Sequence, residues 1–163
     1  MIGIMFGCYI PLHEGHMTLI NKALGECDLV IIGVCGYDDD RGKYYIPFRD
    51  RISLMKDKFK SNKNVIIAPV DDKKIGLTGK FDRESWEIWS KELFEQSHIN
   101  PDNHIRWYMG EQSYADKLSE IFPKHEFYVV NRSPISGTKI RQGEYDDKID
   151  IDFKNYLRGK EDV

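Results

Sequence analysis

The stretch LVIIGVCG, Leu29 to Gly36, is apolar, β-branched and uninterrupted by charge. A half-exposed strand alternates apolar and polar residues. An unbroken run of this length instead suits a parallel strand covered on both faces. IGIMFG (Ile2–Gly7) and VIIAPV (Val65–Val70) are likewise apolar, and IRWYMG (Ile105–Gly110) and EFYVV (Glu126–Val130) also read as strands, each with one charged residue. Between them the apolar spacing changes to that of helices, as in Met17, Ile20, Ala23, Leu24 and Cys27. Pro47 marks a helix start before FRDRISLMKDKFK. Further helical stretches are RESWEIWSKELFEQ, SYADKLSEIF, a short start in SGTKIRQG and a closing IDFKNYL. Strands alternating with helices along the whole length predict a single doubly wound, Rossmann-like α/β domain over residues 1–163, with a mostly parallel five-stranded sheet. Ligands of such sheets sit beyond the carboxyl ends of the strands, so the loops after the strands are where chemistry is sought.

A net charge of -3 supplies no basic excess to neutralise a polyanion, so neither nucleic acid nor a membrane surface is an expected partner. No apolar run approaches the roughly 20 residues of a membrane span, and MIGIMFG has no basic leader region. Cys8, Cys27 and Cys35 are an odd number without CxxC spacing. They are expected to be reduced, buried thiols of a cytoplasmic protein, not zinc ligands. A homo-oligomer is compatible with this composition.

The loop after the first run reads GCYIPLHEGHMTLI, with His13, Gly15 and His16 at the handover from strand to helix. Unpaired N–H groups and the helix dipole favour an anion there. Gly15 would let a phosphate approach the backbone, and two imidazoles could follow charge building on phosphoryl oxygens. The residues alone leave three readings: a phosphate site, a cap with incidental histidines, or a metal pair. The last lacks i, i+4 spacing and an evident third ligand. After the last strand, ISGTKIR (Ile135–Arg141) offers Ser136 or Thr138 as a cap and Arg141 about one turn in, within reach of a polyphosphate. Two helix starts converging on one crevice make simple capping the poorer account of both.

Together, PLHEGH and ISGTKIR resemble the paired H-x-G-H and S-x-T-x-x-R signatures of the HxGH nucleotidyltransferase superfamily. The likeness is nearest to the nicotinamide-mononucleotide adenylyltransferase domain of NadR-type proteins. It extends through FGCYIPLHEGH, IIGVCGYDDDR with Asp50-Arg51 following, SWEIWS and ISGTKIR. The resemblance implies transfer of AMP from ATP to nicotinamide mononucleotide, giving NAD and pyrophosphate without a covalent enzyme intermediate. It implies catalytic roles for His13, His16 and Arg141. ATP contacts are implied for Phe6, Gly7, Cys8, Tyr9, His13, Gly15, His16, Gly110, Glu111, Ser136, Thr138 and Arg141. Mg²⁺ is expected on the triphosphate and not in a protein cage.

Acceptor contacts are expected from Asp38 or Arg41 in the DDDR turn and from Trp86 or Trp89, one of which could stack on the pyridinium instead of packing in the core. Arg49 and Arg51 are either partners of the acceptor phosphate or helix-surface residues. Lys73, Lys74 and Lys80 lie in a loop that could cover the site. Cys8 departs from the basic residue that relatives often carry after the glycine. No ribosylnicotinamide kinase or DNA-binding region accompanies the sequence, so neither riboside phosphorylation nor repression is expected of it. Phosphopantetheine, FMN and phospho-alcohol acceptors are the nearest alternatives, and a non-catalytic nucleotide sensor is the alternative of a different class.

Overall fold

The computed structural model of the 163-residue chain describes residues 1–36, 42–76, 82–130 and 135–161. Five strands run in parallel as one sheet among these residues: β1 (Ile2–Gly7), β2 (Leu29–Cys35), β3 (Val65–Val70), β4 (Ile105–Met109) and β5 (Glu126–Val129). Their order is β3-β2-β1-β4-β5. The chain thus winds outward from β1 in one direction, then returns to β4 on its other side. This reversal beside β1 opens a crevice at the carboxyl ends of β1 and β4. The helices are α1 (Glu14–Glu26), α2 (Phe48–Lys58), α3 (Arg83–Ser97), α4 (Gln112–Ile121), α5 (Gly137–Arg141) and α6 (Ile151–Glu161).

Successive strand residues point to opposite faces, and each face has its own core. Met5, Val30, Ile32, Val34 and Tyr108 pack with Ile20 and Ala23 of α1, Met55 of α2 and Phe153 and Leu157 of α6. Ile4, Ile31, Ala68, Val70 and Trp107 face Trp86, Trp89, Leu93 and Phe94 of α3 and Leu118 of α4. Coverage on both sides explains why β2 carries five consecutive buried residues. Pro69, which has no N–H to give a ladder, sits in β3 at the sheet edge. No helix among the described residues is long and apolar enough to cross a membrane.

Asp38, Arg41, Lys80 and Pro134 lie outside the described residues. Lys73 and Lys74 belong to a turn in which both backbone N–H groups donate to Asp71 Oδ1, at 3.2 and 3.4 Å.

Candidate active site

His13 ends the β1–α1 loop as the N-cap of α1, with extended backbone, and His16 stands at the third helical position. Helix starts commonly close with a Ser/Thr and Glu/Gln capping box. Here two histidines make it. The His13 N–H donates to His16 Nδ1 at 3.2 Å, and the His16 N–H donates to His13 Nδ1 at 3.4 Å. The rings stack with centroids 3.6 Å apart.

An Nδ1 that accepts an N–H carries no proton, so each neutral ring keeps its proton on Nε2. No hydrogen bond among the described residues engages either Nε2. Burial first, and the Arg141 guanidinium second, push His13 down to about 4. Burial, then His13, holds His16 well below the usual imidazole range. Both rings therefore remain neutral near neutrality, each with one N–H to donate.

Three supports hold this pair. Tyr9, buried and in the left-handed region at φ 55°, sets its ring 4.8 Å from that of His16. The following Ile10–Pro11 bond is cis. From the distant end of the chain, Ile149 bridges His13 and the Asp150 N–H donates to the Leu12 carbonyl at 2.9 Å. Packing also requires a glycine at position 15. A Cβ there would lie 3.0 Å from the His13 ring and 3.4 Å from the Ile135 carbonyl.

The second loop meets the first directly. Ser136 caps α5 by accepting the Lys139 N–H at 3.2 Å. Arg141 folds back over Gly137, where a Cβ would stand 2.8 Å from Nη1. That Nη1 donates to the Ile10 carbonyl at 2.9 Å, while Nη2 reaches Thr138 Oγ1 at 3.4 Å. The guanidinium is thus held between the two sequence motifs, on the His13 side. Gly110 is exposed after β4, and Glu111 precedes α4 without a side-chain cap bond.

Phe6, near the end of β1, centres an aromatic cluster. Its ring lies 4.7 Å from Trp89, 5.7 Å from Trp86 and 6.0 Å from Tyr114, centroid to centroid. Trp86 and Trp89 are each 6% exposed, so both pack in the core. Tyr114 had no distinguishing signal in the sequence. Arg51, expected on the helix surface or beside the acceptor phosphate, instead lies in the interior. It is fully buried and donates to the carbonyls of Ile46 (2.9 Å), Cys8 (2.8 Å) and Cys35 (2.8 Å). Its charge serves strand ends that have run out of ladder partners.

The chain matches a family model described as cytidylyltransferase-like over residues 4–143. It is 27% identical to the trifunctional NAD biosynthesis/regulator protein NadR of Escherichia coli K12, over 88% of this chain and 38% of that protein. A probable nicotinate-nucleotide adenylyltransferase of Aliarcobacter butzleri is 24% identical over 96% of this chain and 84% of its own length. Among solved structures, a NadR protein in complex with NR superposes with a TM-score of 0.75 at 30% identity, covering 93% of this chain and 44% of that one. A NadR protein in complex with NAD and AMP-PNP gives 0.72 at 29% identity, over 93% and 45%. The chain therefore spans less than half the length of the NadR proteins it matches.

Proposed function

The chain belongs to the cytidylyltransferase-like family of nucleotidyltransferases, and from that premise we propose that it transfers the adenylyl group of ATP to nicotinamide mononucleotide. The observation that carries this reading is the meeting of two motifs. Two neutral Nε2–H donors stand in the loop after β1, and the Arg141 guanidinium is held to that same loop through the Ile10 carbonyl, on the His13 side. Both imidazole Nδ1 lone pairs are taken by backbone N–H groups, so neither ring offers a free nucleophile. The array is a set of fixed donors, suited to charge that develops on phosphoryl oxygens.

In the proposed reaction an oxygen of the acceptor's 5′-phosphate attacks the α-phosphorus of ATP. The bond from that phosphorus to the oxygen bridging to the β-phosphorus breaks, and pyrophosphate leaves with both electrons. His16, the less buried of the pair, donates Nε2–H to the α-phosphoryl oxygens as their charge builds. His13 holds His16 in place and donates to the same region. Arg141, with Ser136 and Thr138, holds the β and γ phosphates and so orients the leaving group. Gly110 and Glu111 border the space for adenosine beside β1.

His13, His16 and Arg141 present N–H donors to oxygen and not oxygen ligands to a hard cation. The proposed Mg²⁺ is accordingly bound by the triphosphate, whose charge it would neutralise. For the acceptor, the support is the NadR likeness together with the part-exposed rings of Phe6 and Tyr114, backed by Trp86 and Trp89, an aromatic setting that suits a cationic pyridine ring.

An acceptor screen with Mg-ATP tests the proposal, reading pyrophosphate and dinucleotide together. NAD formation from nicotinamide mononucleotide is the expected result. Turnover only with the deamidated nucleotide, phosphopantetheine or FMN would displace the acceptor and leave adenylyl transfer in place.

A further inference from the structure

Cys8 and Cys35 come together where β1 and β2 reach the site. The parallel register pairs Gly7 with Val34, so one further step along both chains sets Cys8 beside Cys35. Adjacent strands lie about 4.8 Å apart, and a disulfide needs Cα atoms roughly 4.4–6.8 Å apart. Arg51 fixes the approach, since one nitrogen, Nη1, accepts neither residue's drift: it donates to both carbonyls at 2.8 Å. Tyr9 and Tyr114 lie near both thiols, and Cys8 is the leading neighbour acting on the Cys35 thiol. Both cysteines are half-buried, while Cys27 is buried at the other end of the sheet, packed against Gly3 and Tyr108.

We propose that Cys8 and Cys35 form a reversible disulfide on exposure to a hydroperoxide, and that this bond switches off nucleotide binding. The switched ligand, though not the bond, rests on the function proposed above. The hydrogen bond with Cys8 comes first in holding the Cys35 thiol well above its usual range, followed by burial and the charges of Cys8 and Asp72. With the Cys35 thiol held up, Cys8 is the attacking sulfur of the proposed step. Its thiolate takes one oxygen of hydrogen peroxide, and the O–O bond breaks. Cys8 becomes a sulfenic acid, oxidised by two electrons, and the other oxygen leaves as water after protonation. The Cys35 sulfur then attacks the Cys8 sulfur, the S–O bond breaks and a second water departs with the Cys35 proton. Two thiols and one peroxide give one disulfide and two waters.

Cys8 immediately precedes Tyr9, whose ring supports His16. Drawing the sulfurs to a bond of about 2.05 Å pulls this loop toward β2. A misplacement of about 1 Å can cost on the order of 10²-fold in rate.

The test treats the full chain with hydrogen peroxide and follows intact mass, a non-reducing digest and AMP-PNP affinity by calorimetry. The expected product is lighter by two hydrogens, contains a Cys8–Cys35 linked peptide and leaves Cys27 alkylatable. AMP-PNP affinity should fall at least about tenfold and recover with dithiothreitol. In Cys35→Ser, peroxide should carry Cys8 beyond the sulfenic acid, and dithiothreitol should not restore affinity. The proposal is overturned if both thiols stay alkylatable, if the linked protein binds AMP-PNP unchanged, or if Cys35→Ser recovers as fully as the parent. A chain that forms the bond and loses AMP-PNP affinity yet never makes NAD would remove the acceptor and leave the switch standing.

Discussion

The backbone N–H of His13 donates to Nδ1 of His16, and the backbone N–H of His16 donates to Nδ1 of His13. This exchange fixes where each imidazole keeps its proton before any substrate arrives. A single local arrangement thus starts helix α1 and sets two Nε2–H donors facing outward from the cap.

His16→Ala should lower kcat by about 10²–10³, the usual consequence of deleting one donor to a developing oxyanion. The same change removes half of the capping box and should lower stability by about 1 kcal/mol. Steady-state kinetics beside a urea titration separate the two effects. A near-parental kcat would take His16 out of the mechanism.

Acid should destabilise the fold through these rings. The folded-state value of His13 is depressed to about 4, below the ordinary 6.5. As pH falls through 6.5 the unfolded chain takes up the proton while the folded chain does not, so stability declines until about pH 4. By about pH 5 the cost is about 2 kcal/mol for His13, and His16 adds in the same direction. Urea unfolding across this window should show a shallower slope in His13→Asn, which can still cap α1 but does not titrate. An unchanged slope would contradict the depressed value.

Gly137→Ala should disturb ATP use more than folding. Its Cβ would occupy space 2.8 Å from Arg141 Nη1, the end of a flexible side chain that can swing away. The guanidinium would then leave the Ile10 carbonyl. KM for ATP should rise by about tenfold or more with little change in Tm, and an unaltered KM would show that Arg141 is not poised for phosphate.

Trp86→Ala and Trp89→Ala should each cost about 3–5 kcal/mol, because both rings are buried against Phe6. Phenylalanine replacements are the better functional probe. One of the two should raise KM for the acceptor while leaving that for ATP in place. Equal effects on both substrates would restrict the rings to packing.

Arg51→Lys should destabilise by on the order of 3 kcal/mol, since an ammonium cannot reproduce the planar fork that serves three carbonyls. Thermal unfolding checks this, and an unchanged Tm would mean that the strand ends find other donors.

Much of the fold was legible because its signals are local. The apolar runs at Ile2–Gly7 and Val65–Val70 became strands with those same limits, and Pro47 stands just ahead of α2 as expected. The two motifs were legible as helix starts with anion-favouring chemistry. What escaped were residues whose role depends on a distant partner. Arg51 looks like any arginine of a charged helix until Cys8 and Cys35 present their carbonyls to it. Ile149 and Asp150 look like a linker until they meet Leu12 and His13.

The sequence by itself determined the alternation of strand and helix, and the residue types available to the site. Backbone periodicity and helix capping are written in neighbours a few positions apart. Only the tertiary structure decided that Arg141 would rest on Ile10 and that Arg51 would serve the carbonyls of both Cys8 and Cys35. Each of those contacts requires the order β3-β2-β1-β4-β5, which sets β1 between β2 and β4 and brings the loops together at the sheet's carboxyl edge.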